Sequence, residues 1–98
     1  MLVKVNEIRE NSVRVTKLDI DDFGSVIALR ELELGLPQDD DSVIQTLRQS
    51  LYAILFTADD REEDGSTIIL ARSMTTEELD EEKERTVRAI QGKKEATE

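Results

Sequence analysis

The chain has 98 residues, 23 acids against 13 bases, and a formal charge of −10. It has no Cys and no His, which removes disulfides, thiolate nucleophiles, Cys-bound zinc, iron–sulfur clusters and the usual general base at neutral pH. Its apolar fraction of 38% is low and its charged fraction of 37% is high, yet aliphatic runs persist, so one folded domain with a charged shell is expected over residues 1–92, with a polar, frayed tail over 93–98.

Residues 2–8 (Leu-Val-Lys-Val-Asn-Glu-Ile) and 12–18 (Ser-Val-Arg-Val-Thr-Lys-Leu) partly alternate with period two. With the turn-sized Arg9-Glu10-Asn11 between them, they predict a β-hairpin with β-branched residues on its buried side. Residues 19–24 read as a loop or a first helical turn. Residues 25–36 fit two elements. As a strand, Val26, Ala28, Leu32, Leu34 and Leu36 share a face; as a helix, Phe23, Ile27 and Leu34 do. The alternation Glu31-Leu32-Glu33-Leu34 favours the strand slightly, and Gly35 and Pro37 close the segment in either case.

Asp39-Asp40-Asp41-Ser42 reads as a helix start, because short oxygen-bearing side chains accept the orphan amide hydrogens and anions suit the positive end of the dipole. Ile44, Leu47, Leu51, Ile54 and Leu55 follow at helical spacing, but residues 51–57 read equally well as a buried strand. Residues 59–65 form a solvated acidic loop. Thr67-Ile68-Ile69-Leu70-Ala71 is a short apolar strand that can pair back across it. Thr75-Thr76-Glu77-Glu78 matches a capping box and opens a second helix, running to about Gln91 with Gly92 as its stop. Glu81–Arg85 and Glu84–Arg88 are favourable pairs on that helix. Its apolar stripe, Leu79, Val87 and Ile90, either packs on the sheet or joins a strand edge in a dimer or partner interface. The fold expected is α+β: a small, mostly antiparallel sheet, made of the N-terminal hairpin plus one or two further strands, with two helices, the second C-terminal.

No pattern in the sequence carries chemistry. An EF-hand loop needs a closing Glu at its twelfth position. A loop started at Asp19 puts Arg30 there, and one started at Asp60 puts Ala71 there. The glycines at 24, 35, 65 and 92 are too far apart for a phosphate-cradling motif. Acid–base catalysis by carboxylates needs one acid in an apolar pocket, whereas most acids here stand in runs of two to five, as solvated surfaces do. No enzyme, no metal and no cofactor is therefore expected. No apolar run approaches a membrane span and the N-terminus lacks a signal-peptide core, so the expected location is the cytoplasm, away from membranes.

Charge is unevenly placed. Residues 1–18 are net +2, residues 19–65 net −10 and residues 66–98 net −2. An acidic middle repels nucleic-acid phosphates and attracts basic surfaces. The function expected is thus non-catalytic binding of a macromolecule, chiefly a protein with a basic surface, as an inhibitor, adaptor or regulator. The acids proposed to meet it are Asp39, Asp40, Asp41, Asp59, Asp60, Glu62, Glu63 and Asp64. Carboxylates spaced like phosphates would also allow DNA mimicry.

An alternative rests on residues 12–55. Val13-Arg14-Val15-Thr16-Lys17, a helix over 21–34 ended by Gly35, and a second helix from Ser42 together resemble the ribbon-helix-helix family of dimeric DNA-binding proteins, which includes many antitoxins. The resemblance implies a ribbon in the major groove, with Arg14 and Thr16 on base edges.

Overall fold

In the computed structural model, which describes residues 1–39, 41–58 and 61–96, there are five strands and two helices. They are β1 (Leu2–Ile8), β2 (Ser12–Ile20), β3 (Val26–Gly35), α1 (Asp41–Arg48), β4 (Tyr52–Thr57), β5 (Ile68–Met74) and α2 (Thr76–Ala96). The strands form one antiparallel sheet in the order β3-β2-β1-β4-β5. The α+β class and the C-terminal second helix hold. The sheet has three strands beyond the hairpin, one more than the upper expectation, because both ambiguous segments are strands.

The sheet does not lie flat. Register shifts interrupt β1–β2 at Val5/Glu7, β2–β3 at Lys17/Leu18 and β4–β5 at Phe56/Thr57. Each inserts an unpaired residue, which bends and twists the strand that carries it. The accumulated curl brings the end of β3 against the residue just before β5, where Gly35 and Thr67 form an isolated parallel bridge. The chain order is thus a three-strand meander, a helix and a two-strand hairpin, curled into a partly open barrel whose edges meet at that bridge.

Closure decides which residues form the core. Along each strand alternate side chains turn inward: Val13 and Val15 on β2, Leu32 and Leu34 on β3, Ala53 and Leu55 on β4, with Val3 and Ile68 beside them, are all buried. Leu36 and the inner face of α1, Val43 and Leu47, complete the same cluster. Ile44, placed in the core stripe by its spacing, is only partly buried, and Leu51 is exposed. The helix ends at Arg48, where the Ser50 hydroxyl donates to Thr46 O at 2.6 Å and the chain turns into β4.

The ribbon-helix-helix arrangement is not present. It needs a helix over 21–34, and residues 26–35 are β3, paired along β2 from Ile20↔Val26 to Ser12↔Gly35. The alternation of Leu32 and Leu34 buries two leucines in the barrel, which a helix would place on different faces. Between β2 and β3 the chain turns through Asp21–Ser25, with Gly24 at φ +79° in the left-handed region that favours glycine.

The capping box forms as its sequence implies. Glu78 N donates to Thr75 Oγ1 at 3.2 Å, and Thr75 N donates to Glu78 Oε1 at 3.4 Å. The helix passes the expected stop at Gly92 and ends at Ala96. A helical glycine costs only about 1 kcal/mol relative to alanine, and Gln91, Lys93 and Lys94 around it are good helix formers. Leu79 is buried, while Val87 reaches Gly24, whose added Cβ would stand 3.0 Å from Val87 Cγ2. Two of the three stripe residues, Leu79 and Val87, thus face the fold. Among the described residues, no helix is long and apolar enough to cross a membrane.

Leu34, fully buried at the seam between β3 and β5, should be among the most sensitive core positions. Leu34→Ala is expected to cost about 2–5 kcal/mol in denaturant unfolding. Leu51→Ala, at a side chain 56% exposed, should change stability by only about 0.5 kcal/mol.

Candidate functional site

Because the barrel closes through the β4–β5 connection, the acidic loop of the sequence lies against the outer edge of β3. Gly65 N donates to Glu33 O at 2.9 Å and Gly35 N to Ser66 O at 2.8 Å. Between them, Asp64 Oδ1 accepts a hydrogen bond from Glu33 N at 2.8 Å. Gly65 turns the loop with φ +85°. These bonds satisfy edge groups of β3 that a barrel would otherwise leave open.

The same loop reaches the mouth of the barrel. Lys17 continues the inward row of Val13 and Val15, and Arg30 stands opposite it in register. Glu62 answers both: its Oε2 lies 2.7 Å from Lys17 Nζ, and its carbonyl oxygen accepts from Arg30 Nη2. Lys17 donating to the Glu62 carboxylate lowers its pKa below the ordinary value of 4.5, with the Lys17, N-terminal and Arg30 charges adding to the effect and slight burial opposing it. Thr57 Oγ1 on β4 donates to Arg61 O and fixes the start of the same segment.

Docking of the loop leaves a groove of about 560 Å³ on the outer side of β2 and β3. Ser12 and Arg14 line it from β2, Glu31 and Glu33 from β3, and Asp64 and Gly65 from the loop. Its ion pairs are internal. Arg14 Nε stands 3.7 Å from Glu31 Oε1, and Arg9 Nη1 stands 3.1 Å from Glu33 Oε1, which also accepts from Ser12 Oγ at 3.0 Å. Three carboxylates thus meet one lining cation, and the groove carries a net negative charge.

The predicted binding acids divide among several places. Asp40, Asp59 and Asp60 lie outside the described residues. Asp39 and Asp41 are exposed at the start of α1, where Asp41 lines a separate depression with Glu10, Asn11 and Pro37. Glu63 is exposed and 3.9 Å from Arg61 Nη1. Glu62 and Asp64 work within the fold, as anchors of the loop. Arg14 and Thr16 share the outer surface of β2, where Arg14 meets Glu31 and Thr16 Oγ1 accepts from Asn6 Nδ2 at 2.7 Å.

Glu31 and Glu33 are groove residues that the binding acids expected from the sequence do not include. Their alternation with Leu32 and Leu34 was the available signal. Their partners, however, lie on β2 and on a loop some thirty residues away. Among the described residues, no three carboxylates converge to hold a metal ion. No family model, curated protein or solved structure shows significant similarity to the chain.

A group whose folded pKa is depressed stabilises the fold above the ordinary carboxylate range and loses that contribution as pH falls through the folded value. Glu62 should therefore hold the loop at neutral pH and release it in acid. In an NMR titration its carboxyl carbon should show a midpoint below 4.5, and Lys17→Met should move that midpoint upward. A midpoint indifferent to Lys17→Met would contradict the clamp.

Proposed function

We propose that the protein is a non-catalytic binding domain whose acidic groove receives a basic segment of a protein partner. The observation that supports this reading is the convergence of Glu31, Glu33 and Asp64 around one groove on the β2–β3 face. In partly open five-stranded barrels, that face and the adjoining loops are the usual ligand platform. The fold says nothing of the ligand's chemistry; the side chains do. Carboxylates repel a phosphate backbone and favour Lys and Arg, and Arg forms forked pairs with carboxylates.

Glu33 and Asp64 support this reading because their positions are fixed. Glu33 is held by Arg9 and Ser12, and Asp64 by the Glu33 amide. A partner's cation meets acids that lose little freedom on binding, which is the advantage of preorganisation. Glu31 on the groove wall, and Glu63 in the neighbouring depression that shares Asp64 and Gly65 with it, are free to exchange Arg14 and Arg61 for a partner's cation, because exposed pairs are weak. Charge arranged in this way raises the rate of encounter and gives binding a salt dependence.

A fluorescent peptide of alternating Lys and Ala tests the proposal by anisotropy. Affinity should fall steeply between low and physiological salt. Glu31→Lys combined with Glu63→Lys should weaken binding by about tenfold or more, while both residues are exposed and the fold should be kept. Binding that ignores both salt and the double substitution would refute the groove.

A further inference from the structure

We infer that the outer side of α2, together with Phe23, is a contact surface for a second copy of this chain, paired about a two-fold axis. Leu79 is buried and Val87, half-buried, meets Gly24, so the start of the apolar stripe of α2 packs on its own fold. The opposite side is exposed and carries an ordered series of charges. Glu77, Asp80, Glu81 and Glu84 come first along it, and Arg85 and Arg88 follow. Such a series reads itself when reversed. An antiparallel copy related by an axis between Glu84 and Arg85 places Arg85 and Arg88 opposite the copy's Glu84 and Glu81, and the reverse pairs follow by symmetry. A uniformly basic partner would match only the acidic half.

The carboxylates left over within the monomer fit this arrangement. The expected Glu81–Arg85 pair is not the one that forms. Arg85 takes Glu82 at 2.7 Å, Arg88 takes Glu84 at 3.8 Å and Lys83 takes Asp80 at 3.6 Å. Among the described residues Glu81 has no ion pair. Exposed ion pairs are individually weak, so they set register and specificity more than affinity.

Phe23 supplies the apolar anchor. It is 90% exposed, the most exposed large apolar side chain described, yet its backbone is held rigidly. Asp21 Oδ1 accepts from Phe23 N at 2.9 Å and from Ser25 N at 2.8 Å. Phe23 forms one wall of a shallow depression of about 420 Å³ that Gly24, Lys83, Glu84, Val87 and Arg88 also line. Each copy thus carries a fixed aromatic knob next to a hollow walled by Val87 and two cationic stems. An aromatic ring packs well in such a hollow, on methylenes and against positive charge. Knob and hollow on one patch are what an isologous interface requires.

Sedimentation equilibrium of the full chain over a concentration series tests the pairing, with circular dichroism to confirm each variant's fold. The parent should show a monomer–dimer equilibrium. Phe23→Ser should weaken it by about tenfold or more. So should the Arg85→Glu, Arg88→Glu variant. Mixing that variant with a Glu81→Lys, Glu84→Lys variant should restore a mixed dimer, seen by native mass spectrometry. A parent that stays monomeric at its highest soluble concentration overturns the proposal. So does a dimer that all these substitutions leave unchanged, or a charge-swapped mixture that does not associate.

Discussion

The structure depends on the closure of a curled sheet by an acidic loop. Edge strands expose a row of backbone donors and acceptors, and a small barrel must satisfy or shield them. Here the β4–β5 loop does so at Glu33 and Gly35 through two backbone bonds and the Asp64 carboxylate. Close approach of the chains at this seam leaves little room. A Cβ on Gly35 would stand 3.3 Å from Thr67 Oγ1. Once β3 and β5 meet, the inward rows of all five strands face one another, and Leu34 and Ile68 become fully buried.

Closure also explains the charge distribution. The first 18 residues are net basic and the middle of the chain is strongly acidic. The sheet makes the two neighbours. Arg9 meets Glu33, Arg14 meets Glu31 and Lys17 meets Glu62. The basic start is therefore taken up by part of the acidic middle, which leaves the remaining acids as the net charge of the surface. Each exposed pair is worth little alone. Glu62 and Asp64 differ because they tie a loop to strands, so the loop's order rests on them. The same geometry builds the groove, since its third wall is the docked loop.

Much of the fold was legible in residue order. Alternation at Val13 and Val15 and at Leu32 and Leu34 marks the inner face of two strands, while residues 51–57, which fit helix or strand, contain β4. Thr75 and Glu78 mark a capping box that forms. Residues 25–36 fit two elements for a physical reason, which lies in the first half of the segment. This part of β3 carries Ile27 and Leu29 on exposed positions, so the apolar pattern there does not report burial. Leu51 misled in the same way, by lengthening the apparent stripe of α1. The anchoring roles of Glu62 and Asp64 were not legible. Their partners lie 45 and 31 residues away, and an acid that bonds across the barrel looks, in a run of acids, like one that faces water. That Glu31 and Glu33 face a groove follows from the curl of the sheet.

The central claim is that Asp64 closes the barrel at the β3 edge. Amide hydrogen exchange of the parent and of Asp64→Ala measures it most directly. Faster exchange is expected at Glu33, Gly35 and Gly65 in the variant, while Val13 and Val15 on β2 keep their protection. Unchanged exchange at Glu33 and Gly35 would contradict it.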